Sequence, residues 1–351
     1  MGYEIEDLYV ELLDAKLVVP RFRSARLSPY YERATRVARR VSRGRFSPPG
    51  GAAMTSEDFG SVDFAYFHAQ FPRDLAVLEA MGNWRQRVGA AVCFIEEAWV
   101  SDIDAMAGFG RWLEQFDAVF IGLADSATAW THRVDVPVSY LPYSVDALGF
   151  SPRDPDHPRG IDVINIGRRS EVTHGSLVDW SRQTGRFYYF DSFRPLEVKD
   201  PSEHRLMLST LMRNSRVAIT NRGIGADPTR TLQQHALPAR YFEAAAAGAV
   251  LVGARPNVVE FDDEFDWTDS IIDLAYDEPD AGEMVDTLLT QSDRLDTAAR
   301  RNVAECLLRH DHVYRLEAMA SAVDVELGEN TEKRKATLRD AAKAFLRPES
   351  S

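Results

Sequence analysis

At 351 residues the chain exceeds what one ordinary hydrophobic core serves, and two domains of about 150 residues each are the prior. Its 45% hydrophobic and 27% charged residues are those of a globular protein, and no run approaches the ~18 apolar residues that span a bilayer. A formal net charge of −13 argues against general attraction to a nucleic-acid backbone or an anionic membrane for the molecule as a whole.

The first residues, Met1 to Asp7, are acidic and lack a basic stretch followed by an apolar one, so no secretory leader is expected and the cytoplasm is the default location. Cys93 and Cys306 are the two cysteines, each among apolar neighbours and outside any CxxC, which predicts two buried thiols and neither a disulfide framework nor a zinc site. Two local basic patches stand out: Arg36, Arg39, Arg40, Arg43 and Arg45, and the run from Lys333 to Arg347. The first reads as a solvated helix face or acceptor-side surface, the second as a terminal helix with charged sides.

Short β-branched runs alternate with stretches of helical periodicity, the pattern of βαβ units and a parallel sheet, so the fold class is α/β. In the first half strands are expected at 16–20, 62–67, 88–94, 118–122 and 136–141, and helices at 30–41, 73–81, 103–115 and 126–132. Residues 46–61, rich in Gly, Pro and Ser, read as a loop. A Pro- and Asp-rich passage, 150–159, holds too few apolar residues for a core and marks a linker. The same grammar then restarts, with strands at 161–166, 187–190, 217–220, 249–252 and 270–274 and helices at 176–183, 203–213, 239–247, 281–291 and 296–308. The expected organisation is one α/β domain over 1–150, a second over 151–327 and a terminal helix and tail over 328–351, frayed from Pro348.

Open parallel sheets bind ligands beyond the carboxyl ends of their strands, where helix N-termini offer unpaired N–H groups. The first strand of the second half runs into Gly167, Arg168 and Arg169, with His174 close behind. Glycine admits close backbone approach, and two guanidiniums suit a diphosphate, which they grip through charge-assisted hydrogen bonds; surface arginines on a turn are the bland alternative. After the third strand come Asn221, Arg222 and Gly223, placed for a base or phosphate contact or for capping a turn. The richest segment is 237–252: Pro238 starts a helix, an alanine run packs it tightly, and Gly248 ends it before an apolar strand. Arg240, Tyr241 and Glu243 are its candidate contacts. Glu243 is anomalous in an otherwise apolar helix, where its carboxylate can accept from two neighbouring ribose hydroxyls or compensate the helix dipole.

This last segment resembles the donor-binding motif of GT-B glycosyltransferases, in particular the family-4-like group that includes CgeB-type proteins, and the likeness extends roughly over 161–274, with a weaker echo at 116–120 and 138–146. The resemblance implies two Rossmann-like domains facing across a cleft, 1–150 on the acceptor side and 151–327 binding the donor. It also implies a nucleotide-diphosphate sugar as co-substrate, with no further cofactor, and a glycan, natural product or other small molecule as acceptor. Glu243 would hold the donor ribose and Arg168, with Arg169, the diphosphate. Transfer would be metal-independent, arginines and helix dipoles replacing the metal, and would retain the sugar's configuration. Two departures stand against the pattern: His235 occupies the position of the family's second glutamate, and the first half lacks a glycine-rich loop after its first strand. His68, at a strand end facing the expected cleft, resembles the histidine such enzymes place beside the transferred sugar and is the catalytic candidate. Asp262, Asp263 and Glu264 read as a solvated loop and not a metal-binding triplet.

Rival readings share the cleft. An epimerase or hydrolase would need an acid and base pair in the first half, for which Glu96, Glu97 and His68 are available. A non-catalytic nucleotide-sugar-binding or scaffold subunit is kept open by His235. A Rossmann oxidoreductase is disfavoured because no G-x-G-x-x-G follows an early strand.

Overall fold

The fold is that of a computed structural model, which describes residues 2–24, 26–41, 54–167, 169–191, 200–221 and 234–346. Helix α1 (Gly2–Leu13) buries Ile5, Leu8, Tyr9 and Leu12, the spacing of an amphipathic helix on a core. The strand expected at 16–20 does not form. Leu17 and Val19 stay half exposed there, Pro20 has no N–H to give a ladder, and the chain pairs instead just beyond, where β1 (Arg21–Phe22) meets β2 (Met54–Thr55) antiparallel. Helix α2 (Leu27–Val41) lies between them; of the loop expected at 46–61, residues 46–53 lie outside the described residues, and the described remainder begins with β2.

Four parallel strands follow in spatial order β3 (Val62–Ala69), β4 (Val88–Ile95), β5 (Ala118–Ile121) and β6 (Val138–Tyr140). β5 is buried throughout, as a strand covered on both faces must be. The helix expected at 73–81 is a 3-10 helix, Pro72–Met81. The one expected at 103–115 breaks into α3 (Ile103–Met106) and α4 (Gly110–Leu113) with a 3-10 turn between, since Gly108 and Gly110 each disfavour helix by about 1 kcal/mol. Helix α5 (Ala124–Thr131) and the single turn α6 (Ala147–Phe150) complete this half.

The second sheet runs β11 (Ile272–Asp273), β10 (Val250–Gly253), β9 (Ser215–Ile219), β7 (Ile161–Asn165), β8 (Tyr188–Phe190), again all parallel. Its connections include α7 (Glu171–Thr184), α8 (Pro201–Arg213), α9 (Ala239–Ala246), α10 (Val259–Glu264), α11 (Ala281–Leu289) and α12 (Ser292–Glu305). Local chemistry sets their ends. Ser170 and Asp200 accept from backbone N–H groups in the first turns of α7 and α8, and Gly185 closes α7 in the left-handed region at φ 73°. Asp262 to Glu264 are thus helical, not a loop. The passage 150–159 is polar yet anchored at both ends: Phe150 is buried, and Arg159 Nη1 donates to the carbonyls of Arg213, Ser215 and Ala247 at 2.9–3.2 Å.

After a π-helical turn (Cys306–His310), α13 (His312–Ser321) and α14 (Glu329–Leu346) return to the first half. There the chain is pinned by a buried polar hub. Val145 pairs with residues 310–312 through Val145 N to His310 O (3.0 Å) and His312 N to Val145 O (3.2 Å). Asp311, with no exposed surface, accepts from Ala147 N, from Val313 N and from Arg334 Nε and Nη2 at 2.7–3.0 Å, and Arg334 also reaches Asp146. His312 is held between Ser144 Oγ (2.7 Å) and Glu4 Oε1 (3.0 Å), and Arg315 donates to the carbonyls of Pro142 and Tyr143 and to Glu264. Arg334, expected on a charged outer side, therefore turns inward. Both cysteines are buried and unpaired, and burial pushes their thiols up.

Removing one partner of a buried ion pair strands the other charge, at a cost of about 3–5 kcal/mol, so Arg334→Ala should lower the unfolding free energy by that order in urea titration. A loss below about 1 kcal/mol would show that the hub is not what holds α14. His310 is fully buried among Phe242, Phe265 and Trp267, and burial followed by the nearby Arg315 and Arg309 holds its imidazole well below 6.5. The unfolded chain then binds a proton that the folded chain refuses, so stability is full above about pH 6.5 and falls as pH drops, by up to about 1.4 kcal/mol per unit. Urea titrations between pH 7 and 5 should show this slope, reduced by one proton in His310→Phe.

Candidate functional site

In the second sheet the chain passes from β7 outward to β8, then returns across β7 to lay down β9. The connections diverge between β7 and β9, and the carboxyl ends of those strands bound a crevice, the place where such sheets take ligands. β7 delivers Asn165 and, beyond it, Gly167 at φ 99°, a conformation that favours glycine. β9 delivers Thr220 and Asn221. At the end of neighbouring β10, a Cβ on Gly253 would fall 1.7 Å from the Thr220 carbonyl oxygen, so only glycine lets the two backbones meet there.

Gly167 N donates to Asp191 Oδ1 (3.2 Å), and Arg169 Nη1 donates to the Asp191 carbonyl (2.6 Å) and Oδ1 (3.4 Å). Arg169 is thus tethered to the end of β8, with its guanidinium 5.4 Å from the Phe190 ring centroid. Its Nε is buried and lacks a hydrogen-bond partner among the described residues, as does the hydroxyl of Thr220, a residue 1% exposed. Behind them the first turn of α7 points its N–H groups at the same edge. It is tied down by Ser170 Oγ to Asp277 (2.6 Å) and Thr173 Oγ1 to the Tyr276 carbonyl (2.6 Å). His174 Nδ1 lies 2.9 Å from the Tyr188 hydroxyl, and burial, then the Arg169 charge, lowers its pKa and favours the neutral ring.

Pro238 caps α9, and Gly248 follows it at φ 71°, both as the sequence leads one to expect. Glu243, with its side chain 12% exposed, lies 2.9 Å from Arg240 Nη1, although that nitrogen is out of line for a hydrogen bond. Tyr241 has no exposed surface. Its hydroxyl donates to the Ala254 carbonyl (3.2 Å) and its ring packs edge-on against Phe261 and Phe265, so it anchors α9 from within and presents nothing to the crevice. Its placement as a ligand contact is corrected on that ground. His235 Nδ1 accepts from Asn257 N (3.2 Å) in the loop beyond β10. Arg168 and Arg222 lie outside the described residues.

The same segment brings the two sheets edge to edge. Gln234, just before α9, accepts from Val100 N (3.0 Å) and donates to Ser126 Oγ (3.1 Å), groups that follow the carboxyl ends of β4 and β5. On that facing edge His68 Nε2 lies 2.8 Å from Glu96 Oε1 and Nδ1 lies 2.8 Å from the Tyr66 hydroxyl. A carboxylate only accepts, so Nε2 donates to Glu96, which leaves Nδ1 of a neutral ring to accept the hydrogen bond from the tyrosine hydroxyl. The side chain is 8% exposed, and the start of α1 at Gly2 lies against the ring. His68 is therefore at the strand end where it was expected, enclosed and bonded at both ring nitrogens. Glu97 accepts from Trp99 Nε1 (3.3 Å) beside it. Trp112 is buried in the core.

Gly167, Arg169 and Asn221 are thus brought to one edge, with α9 entering from the contact between halves. Asp191, Thr220, Gly253 and Gln234 were not anticipated. Asp191 and Gly253 lie at strand ends, a position that could have flagged them, whereas nothing local distinguishes Gln234. Among the described residues no three His, Cys, Asp or Glu side chains are grouped as metal ligands, and no helix is long and apolar enough to cross a membrane.

Residues 169–321 match a family described as glycosyl transferase-like, in line with the resemblance over the second half, and the two parallel sheets bear out the α/β class. Similar solved structures include TarM, at 10% identity over 75% of this chain and 54% of that one, TM-score 0.43. Others are the pneumococcal O-GlcNAc transferase GtfA, at 12% over 72% and 53%, TM-score 0.38, and CalG4, the calicheamicin glycosyltransferase, at 15% over 86% and 85%, TM-score 0.34. The chain spans about half the length of the first two. No curated protein matches it.

Among the described residues the Thr220 hydroxyl has no partner, and a buried hydroxyl left so costs desolvation of order 1–3 kcal/mol. Thr220→Val, close in shape, should therefore leave stability unchanged or raise it by about 1 kcal/mol in urea titration. A clear loss would mean that the hydroxyl is bonded in the folded chain after all.

Proposed function

We propose that this chain transfers a sugar from a nucleoside-diphosphate sugar to a small-molecule or glycan acceptor. The observation that carries the proposal is that the glycosyl transferase-like match, 169–321, takes in Arg169 and Asn221 at the switch-point crevice together with the whole of α9. In this reading the diphosphate lies against Gly167, Arg169 and the first turn of α7, where guanidinium and N–H groups meet developing negative charge at the departing phosphate. Arg168 takes a second place on the diphosphate, and Asn221 with Arg222 on the base or phosphate. Glu243 accepts from the ribose hydroxyls, with Arg240 beside it to orient the carboxylate. His68, braced by Glu96 and Tyr66, stands on the facing edge and meets the transferred sugar once one of its ring partners yields.

Loss of the glycosidic bond to the donor places positive charge on the sugar ring and negative charge on the leaving diphosphate, and the arginines and helix dipole are assigned to the second of these, without a metal. Retention of configuration is carried from the family resemblance, and the domain limits at 150 and 327 from the sequence pattern. The chain's location in the cytoplasm is part of the same proposal.

Thermal unfolding with UDP, GDP, ADP, CMP or TDP, each with and without magnesium, tests the donor site. One nucleoside diphosphate should raise the midpoint in either condition, by about 2.7 kcal/mol of stability at a hundredfold excess over Kd. Glu243→Ala should abolish most of that rise while folding normally. Stabilisation by none of them would remove the donor assignment, and stabilisation only with magnesium would overturn metal independence.

A further inference from the structure

The chain's basic residues are unevenly spread. Nine arginines fall within residues 21–45 against one acid, Glu32, so a net charge of +8 occupies 25 residues of a chain whose total is −13. Elsewhere on the surface arginines sit against carboxylates: Arg85 on Asp117 at 2.6 Å, Arg133 on Asp104 at 2.7 Å, Arg294 on Asp269 at 2.7 Å. Here they do not. Arg21, Arg23, Arg26 and Arg33 are exposed, and none of them has an ion-pair partner among the described residues. Within a Debye length of about 8 Å, such a cluster is felt as positive whatever the charge of the distant surface.

Much of this charge belongs to α2, whose faces are sorted. Positions 30, 34, 37 and 41 recur at helical spacing and form an apolar stripe in which Tyr30 is 74% exposed, Val37 55% and Val41 80%. Tyr31, Thr35 and Ala38 form the half-buried face, with the Tyr31 ring 5.6 Å from Phe22. Positions 33, 36 and 40, all arginine, share the remaining side next to the stripe. The apolar stripe and Arg33 beside it are exposed, and helical spacing places positions 36 and 40 on the same side of the helix as Arg33.

We propose that α2 lies on an anionic lipid bilayer, its tyrosine and valine stripe entering the headgroup boundary and its arginines meeting lipid phosphates and carboxylates. Charge complementarity requires a polyanion, and the stripe decides which kind. A nucleic-acid backbone would satisfy the guanidiniums and leave Val37 and Val41 in water, whereas a membrane interface takes up both. The proposal is independent of the donor site and adds a surface on which an acceptor could be met.

The test is flotation of the full chain with vesicles of phosphatidylcholine alone or containing about 30 mol% phosphatidylserine. The chain should float with the anionic vesicles only, and less at high salt. Replacing Arg33, Arg36 and Arg40 together by Glu should weaken partition by about a hundredfold or more. Val37→Ser with Val41→Ser should weaken it several-fold, with the thermal midpoint of each variant unchanged. Absence of flotation with anionic vesicles would overturn the proposal, as would flotation that the arginine variant does not reduce. Tight binding of a single-stranded oligonucleotide, insensitive to the valine changes and without vesicle binding, would assign the patch to nucleic acid instead.

Discussion

The buried contact between Asp311 and Arg334 is the constraint on which the arrangement of the two halves rests. A carboxylate with no exposed surface must have its lone pairs filled, and Asp311 fills them with two guanidinium nitrogens and two backbone N–H groups. One of those N–H groups belongs to Ala147, at the end of the first half, while the guanidinium comes from α14, near the end of the described chain. Satisfying one charge therefore fixes three distant segments at once. Glu4 and His312 repeat the device alongside, which is why α1 is held to helices that follow it by some 300 residues.

With the halves so placed, the crevice becomes a consequence of strand order. Reversal between β8 and β9 leaves the ends of β7 and β9 uncovered, and backbone groups, a glycine at positive φ and a tethered arginine face the opening. Burial at this edge is tight: Gly253 has no room for a methyl group, and Asp191 holds Arg169 through both its carbonyl and its carboxylate. The facing edge is supplied by Gln234, which inserts between Val100 and Ser126, so the segment leading into α9 also joins the sheets.

The enclosure of His68 shows how a side chain's role depends on neighbours that its own strand does not announce. Its position near the end of β3 was legible, and so was its sheet. Tyr66 reaches Nδ1 through the two-residue period of β3 itself, but that Glu96 occupies Nε2 follows from the register of β3 against β4, in which His68 stands opposite Phe94, two residues before Glu96. Tyr241 makes the same point in reverse. Its sequence neighbours Arg240 and Glu243 drew it into a polar constellation, yet helical spacing turns it to the opposite side of α9, onto Phe261 and Phe265.

What the sequence by itself determined was local. Alternating β-branched runs and amphipathic stretches gave the α/β class and nearly every strand of both sheets, because burial on two faces imposes apolar runs that can be counted without knowing their neighbours. Pro238 and Gly248 bounded α9 because φ restrictions act within a residue or two. The tertiary structure alone decided which charges turn inward and which remain bare. Arg334 lies in a run of charges that reads as a solvated helix side, but it is drawn to Asp311, 23 residues away in sequence. The broken helix at 103–115 and the missing strand at 16–20 belong to the same class, since whether a short apolar run becomes strand, turn or coil depends on a partner to accept its hydrogen bonds. Pairings across tens or hundreds of residues leave no local mark, and both the hub and the facing edges of the crevice are made of such pairings.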